Sequence, residues 1–415
     1  NGLYTAASNL TINSHFRIRN NGQFDVSTFT INQTSASAQF LVGSGSSLLF
    51  GNTGTLNSDT RATGFNSTDG TITFTAAGTL KIAAENASIG TFNPGTGTVV
   101  YDRDDGIGND QNIVNVTYNN LEIDGSGDKD VGANLTVNGN LIITNGTLDL
   151  TNNGLGNFDL ALATDFSMAA GSLTAGTSDA HTVGGSWTET GGTFAPTAGT
   201  FTFNGDAKTI TQSGNNFFNL TIAAGTKTAG SDLNIDGALL IDPGTLDMSG
   251  TNYTLDLEGD LTIANAGTFT PQASTTHDVA GSWDDEGGTF TPGAGTIILS
   301  GDSKTITTAG GNNFFNLTIA AGTKTAASDL DVNGALVIDP GTLDMSVTDY
   351  TLDLEGDLTI ANAGTFTPQG SNTHNVAGSW DDQGGTFTPT NGTIIFSGDS
   401  KTITTAGGNN FYGFT

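Results

Sequence analysis

The sequence has no cysteine, only eleven lysines and arginines, eight prolines and no apolar run of about 18 residues. Each scarcity excludes something. Without cysteine, neither disulfides nor thiolate metal sites hold the fold together. With 41 acidic residues against the eleven basic ones, the formal charge is −30. Such a surface repels nucleic-acid phosphates and anionic lipid, so a nucleic-acid partner and membrane insertion are not expected. Helical signals are missing as well, since no apolar stripe repeats at 3.6 residues. The few prolines do not form a linker, although 415 residues exceed what one ordinary core accommodates. The chain opens at Asn1 without a Met or a signal peptide, which fits a processed chain or a fragment.

What is present is repetition. Residues 254–271 read T-L-D-L-E-G-D-L-T-I-A-N-A-G-T-F-T-P, and the same eighteen letters return at 351–368, an offset of 97 residues. Leu255, Leu257, Leu261 and Ile263 alternate with polar residues, which is one face of a β-strand, and Gly259 and Gly267 mark turns. Successive starts at Leu233, Leu255, His277, Ile297, Phe315 and Leu330 lie 15 to 22 residues apart. That is the pace of a solenoid in which each lap of roughly 20 residues stacks on the last. The expected fold is therefore all-β: a three-sided parallel β-helix of about 20 rungs, which at about 4.8 Å per rung makes a rod on the order of 100 Å long.

A T-F-x-P marker at Thr193, Thr289 and Thr386, with T-F-N-P at Thr91, divides the chain into degenerate rungs over 1–90, repeats over 91–192, 193–288 and 289–385, and a partial repeat over 386–415. Residues 214–308 and 311–405 differ at only about fourteen positions, which marks a tandem duplication. The first segment, with Arg17, Arg19 and Arg61, reads as a cap or docking end.

Three groups of residues are candidates for chemistry. His181, His277 and His374 each precede a Trp (Trp187, Trp283, Trp380) by six residues. The spacing predicts a stacked, buried pair on one face, with successive histidines about five rungs apart, too far to share a metal. Asp284-Asp285-Glu286 has the composition of a glycosidase acid and base. However, Asp236, Asp278 and Glu286 become Asn333, Asn375 and Gln383 in the next copy, and an amide cannot do their proton chemistry, so no catalytic role is expected. The loop containing Asp102, Asp104, Asp105 and Asp110, interleaved with glycines, fits oxygen ligation of Ca²⁺, with a solvated acidic loop as the alternative.

The recurring F-x-N-L-T-I, L-x-V/I-x-G-x-L-x-I, G-T-L-D and G-T-F-T-P resemble the tandem repeats of bacterial surface and secreted β-solenoids of the adhesin and autotransporter-passenger kind. The resemblance implies a right-handed parallel β-helix displayed outside the cell. Such solenoids serve as fibres, or as stalks that hold an adhesin against cells or surface polysaccharide. The residues add a further expectation: an open last rung at Phe411, Tyr412 and Phe414 pairs with the first strands, around Leu3, Leu10 and Ile12, of another copy, giving a head-to-tail polymer.

Overall fold

The computed structural model describes residues 2–59, 64–104, 110–177, 180–309, 311–368, 370, 372–406 and 409–415. The named strands pair in parallel, no helix occurs among the described residues, and the strands stack as a β-solenoid of about 19 turns, as the spacing predicts. The chain divides into two compact units, Asn1–Phe201 and Thr202–Thr415.

Alternation dictates the local structure. Most strands are three or four residues long, typically with inward Leu, Ile, Val or Phe at every second position and Thr, Asn or Asp between them. In the first unit, from residue 120 onward, three strands make one turn: Asn120–Ile123, Asp128–Val131 and Leu135–Val137 lie beneath Leu141–Ile143, Thr147–Asp149 and Leu160–Leu162. Earlier in that unit the walls are less distinct. The ten-residue strand Phe65–Phe74 spans two of them, pairing Phe40 with Phe65 and Ser47 with Thr71.

In the second unit the predicted file of inward residues holds for Leu233, Leu255, His277 and Ile297 and then departs from expectation. The next two members are Leu317 and Leu336, not Phe315 and Leu330. Leu330 begins a different sheet, opposite Leu352. The cause is countable. Lys208–Thr211 is separated from its copy Lys304–Thr307 by thirteen strand steps and one isolated bridge, at Phe217, equivalent to that at Phe314. At three walls per turn, a repeat ends one wall short of five turns, so each copied residue returns on a different wall.

The corners explain the glycines. Gly237, Gly259 and Gly281 stack, and a Cβ on Gly259 would overlap the Gly237 carbonyl, as one on Gly281 would overlap that of Gly259. Acidic and amide side chains then tie corner to corner across rungs. Asp260 Oδ1 accepts the Ser282 N–H at 2.7 Å, Asp357 accepts that of Ser379 at 2.7 Å, and Asn219 accepts that of Ala238 at 2.8 Å. These bonds satisfy backbone donors that the strand ladder leaves free at each bend.

Candidate functional site

Asp102 and Asp104 follow the strand Thr98–Tyr101, where the chain leaves one wall. Asp102 is half-buried, and its Oδ1 is enclosed without a hydrogen-bond partner. Burial pushes its carboxyl up to about 6, helped by Asp124 and Asp59 and opposed by Lys81. Asp104 is exposed, and its Oδ1 accepts the Ser126 hydroxyl at 2.6 Å. Asp110 is exposed, and Asp105 lies outside the described residues. Among the described residues, no three His, Asp or Glu side chains gather closely enough to hold a metal ion.

A cation is nevertheless present at this corner, supplied by the chain. Lys129 occupies an inward slot and is fully buried. Its Nζ donates to the carbonyl oxygens of Ser126 at 2.7 Å and of Arg103 and Gly127 at 3.4 Å. Burial pulls the ammonium down to about 8 against the upward pull of Asp102, Asp128 and Asp104. The arrangement recurs. Lys227 and Lys324 are fully buried, and each Nζ donates to a carbonyl of its own corner, Ala224 or Ala321, at 2.6 Å. Each also donates to a carbonyl of the previous rung, Gly205 or Gly301. Sequence reading missed these lysines because charge ordinarily marks a solvated position. Parity was the available signal: in Thr226-Lys227-Thr228-Ala229 the lysine stands where alternation demands an inward residue, and in the ladder it lies beside Leu246.

The histidines are interior and bonded. His277 Nδ1 accepts the Leu255 N–H at 3.1 Å, and His374 and His181 accept those of Leu352 and Leu160 at the same distance. Nε2 of His181 faces the Ala175 carbonyl at 3.2 Å. Burial lowers the pKa of His277. The histidine and tryptophan are not stacked on each other as the spacing suggested. His277 and Trp283 stand on strands of adjacent walls, and Phe269 lies between them, with ring centroids 6.5 Å from the imidazole and 6.4 Å from the indole. The chain bends at Gly281 between them, so six residues do not keep one face.

The carboxylates Asp284-Asp285-Glu286 are divided by the same geometry. Asp285 is fully buried; its Oδ1 accepts the N–H groups of Gly287 and Gly288 at 3.0 and 2.9 Å, and its Oδ2 accepts the Asn312 amide. Asp382 repeats this with Gly384 and Asn409. The Asp/Asn exchange between copies has a visible basis: Asn216 donates to Asp236 at 2.7 Å, and Asn313 donates to Asn333 at 3.3 Å. Either side chain provides the accepting oxygen.

The expected interface residues fall at the edges of their own units. Leu3, Leu10, Tyr412 and Phe414 are exposed, while Ile12 and Phe411 are half-buried. Phe411 packs its ring 5.0 Å from Trp380 and 5.3 Å from Phe387. Comparison of the chain with models of known families, with characterised proteins and with solved structures finds no match.

Proposed function

We propose that the chain is a structural element of an extracellular fibre, with subunits joined end to end by the strand stacking that joins rungs inside each one. The observation that carries this reading is the use made of the polar groups. In both copies of the second unit the buried lysine, histidine and aspartate are used on backbone groups of their own corner or of the neighbouring rung. That chemistry holds turns together rather than acting on a substrate. The end-to-end contact is supported by a sequence identity with structural meaning. Leu10-Thr11-Ile12, at an edge, repeats Leu261-Thr262-Ile263 and Leu358-Thr359-Ile360, each of which is paired on both sides. An edge strand of that composition, with Leu10 exposed, accepts a rung that presents Phe414. Display outside the cell rests on the likeness of the repeats to bacterial surface proteins.

Electron microscopy and sedimentation of the purified 415-residue chain test the proposal. The expected result is concentration-dependent fibres that Leu10→Asp or Phe414→Asp shortens to single subunits. Wild-type protein that stays monodisperse at every concentration, or variants that assemble as well as it does, would overturn it.

A further inference from the structure

The three buried lysines share one geometry in two sequence contexts, D-K-D at Lys129 and T-K-T at Lys227 and Lys324, and that geometry is a site as well as a bond. Around the Nζ of Lys227 stand the carbonyls of Gly205 and Ala224; around that of Lys324 stand those of Gly301 and Ala321; around that of Lys129 stand those of Arg103, Ser126 and Gly127. In each case the oxygens come from two successive corners, so the ammonium bridges rungs. Asp206 and Asp302, beside the Gly205 and Gly301 carbonyls, hold the next corner by accepting the N–H groups of Thr226 and Thr323 at 3.0 and 2.9 Å. The stem of each lysine lies in the apolar interior, beside Leu246, Leu343 or Leu148.

We propose that each of these corners is a primary-ammonium site that the fold fills with its own side chain, and that it binds a free alkylammonium ion once the lysine stem is removed. Neutral carbonyls around a group with three N–H donors suit a monovalent ammonium. A Ca²⁺ ion instead takes about six to eight oxygen ligands, and the two or three carbonyls at each corner do not supply them. The ligand class follows from the missing atoms: Lys227→Ala deletes three methylenes and an ammonium, which is n-propylammonium.

The test uses the full chain and measures amide exchange at the corner. Lys227→Ala is expected to accelerate exchange of the Thr226 amide and its neighbours by about tenfold or more, because two carbonyls lose their donor and a cavity opens. Added n-propylammonium should restore most of that protection in a saturable way, whereas n-propanol, which fills the space without the charge, should not. Lys304→Ala, which removes a partly exposed lysine paired with Asp260 at 3.4 Å, should show no response to either compound. Rescue by propanol equal to that by propylammonium, or no rescue by either, would overturn the proposal. If Lys227→Ala does not fold, Lys227→Met keeps the stem volume and removes only the charge. The site then predicts faster corner exchange in the methionine variant, and wild-type protection there would overturn it equally.

Discussion

Between residues 2 and 201 the inward slots are filled unevenly. Phe40 stacks on Phe65 at 4.7 Å and Phe50 on Phe74 at 4.2 Å, the Tyr101 and Tyr118 hydroxyls meet at 2.7 Å, and Gln33, Gln111, Asp130 and Glu189 are buried. Between 202 and 415 the filling is nearly periodic. Phe269 lies 6.4 Å from Trp283 and Phe366 lies 6.4 Å from Trp380, and the ring-to-ring distances of Trp283–Phe290 and Trp380–Phe387 are 4.7 and 4.8 Å. The backbone pairing is nevertheless of one kind in both, parallel and rung upon rung, with register shifts in the first unit at Ile89–Thr91 and Thr174–Gly176. The contrast shows that the ladder and the corners fix the geometry, while the slots accept any group whose neighbours above and below can satisfy it. Inner polar groups are tolerated where a partner lies one rung away.

The largest expected effects come from the tryptophans. Trp187→Ala and Trp380→Ala should each cost about 3–5 kcal/mol by leaving a large void. Replacement by Phe separates the two units. The Trp187 Nε1 donates to the buried Glu189 at 2.5 Å, whereas that of Trp380 is buried without a partner. Trp187→Phe should therefore cost about 1–3 kcal/mol more than Trp380→Phe, because it strips a donor from a buried carboxylate. Denaturant titration monitored by segment-resolved exchange measures both, and equal losses would show that the indole N–H is irrelevant in either unit.

Corner glycines rank next. Gly281→Ala places a methyl group against the Gly259 carbonyl, backbone against backbone, with no flexible side chain to yield. A loss of about 3 kcal/mol is expected. Gly132 in the first unit has nothing within 4 Å of the same added atom, and Gly132→Ala should be neutral or stabilising by about 0.5 kcal/mol. Thermal melts of the two variants check the difference.

Much of this was legible in the letters. Alternation, the 97-residue offset and the glycine spacing specify parallel stacked laps, and the Asp/Asn exchanges already indicate acceptors rather than acids. The wall shift was not legible, because an isolated bridge from the single residue Phe217 to Ile235 occupies a wall without leaving the alternation that marks a strand. Nor were the lysine corners, since composition alone does not distinguish an inward lysine capped by carbonyls from a solvated one. The histidine–tryptophan pair misled because six residues span a bend at Gly281 rather than a straight strand.

Acidity offers a subtler comparison. Burial raises Asp102 and Asp130 in the first unit to about 6, and Asp130 is raised further by Asp149, Asp110 and Asp128. The unfolded chain releases these protons near the ordinary carboxylate value, so between about pH 4 and 6 the folded unit holds more protons than the unfolded one. The stability this contributes is fully present below pH 4 and is lost as the pH rises through 6. Acidification from pH 7 to 5 should therefore stabilise the first unit, and Asp102→Asn with Asp130→Asn should flatten the response. Asp256 and Asp331 shift in the same direction in the second unit, by burial first and then by neighbouring aspartates, but burial lowers the pKa of His277 there, which opposes them as the pH falls from 7 to 5, so that unit should respond less. Segment-resolved exchange at the two pH values reads this directly. A first unit that loses protection at pH 5 would reverse the sign.

The smallest effect tests whether the two copies in the second unit are interchangeable at their corners. Asp236 accepts the Asn216 amide at 2.7 Å in one copy, and Asn333 accepts that of Asn313 at 3.3 Å in the other. Asp236→Asn therefore keeps an accepting oxygen where the donor needs one and removes a negative charge that adds to the upward shift of Asp256. The hydrogen bond becomes weaker because it is no longer charge-assisted, while repulsion along the acidic file falls, and the two changes oppose each other. A net change within about 0.5 kcal/mol is expected. Asp236→Ala, which removes the acceptor and leaves Asn216 without it, should be worse than Asn by about 0.5–1.5 kcal/mol. An Asn variant as unstable as the Ala variant would mean that the charge itself holds that corner and that the copies differ in mechanism as well as in letters.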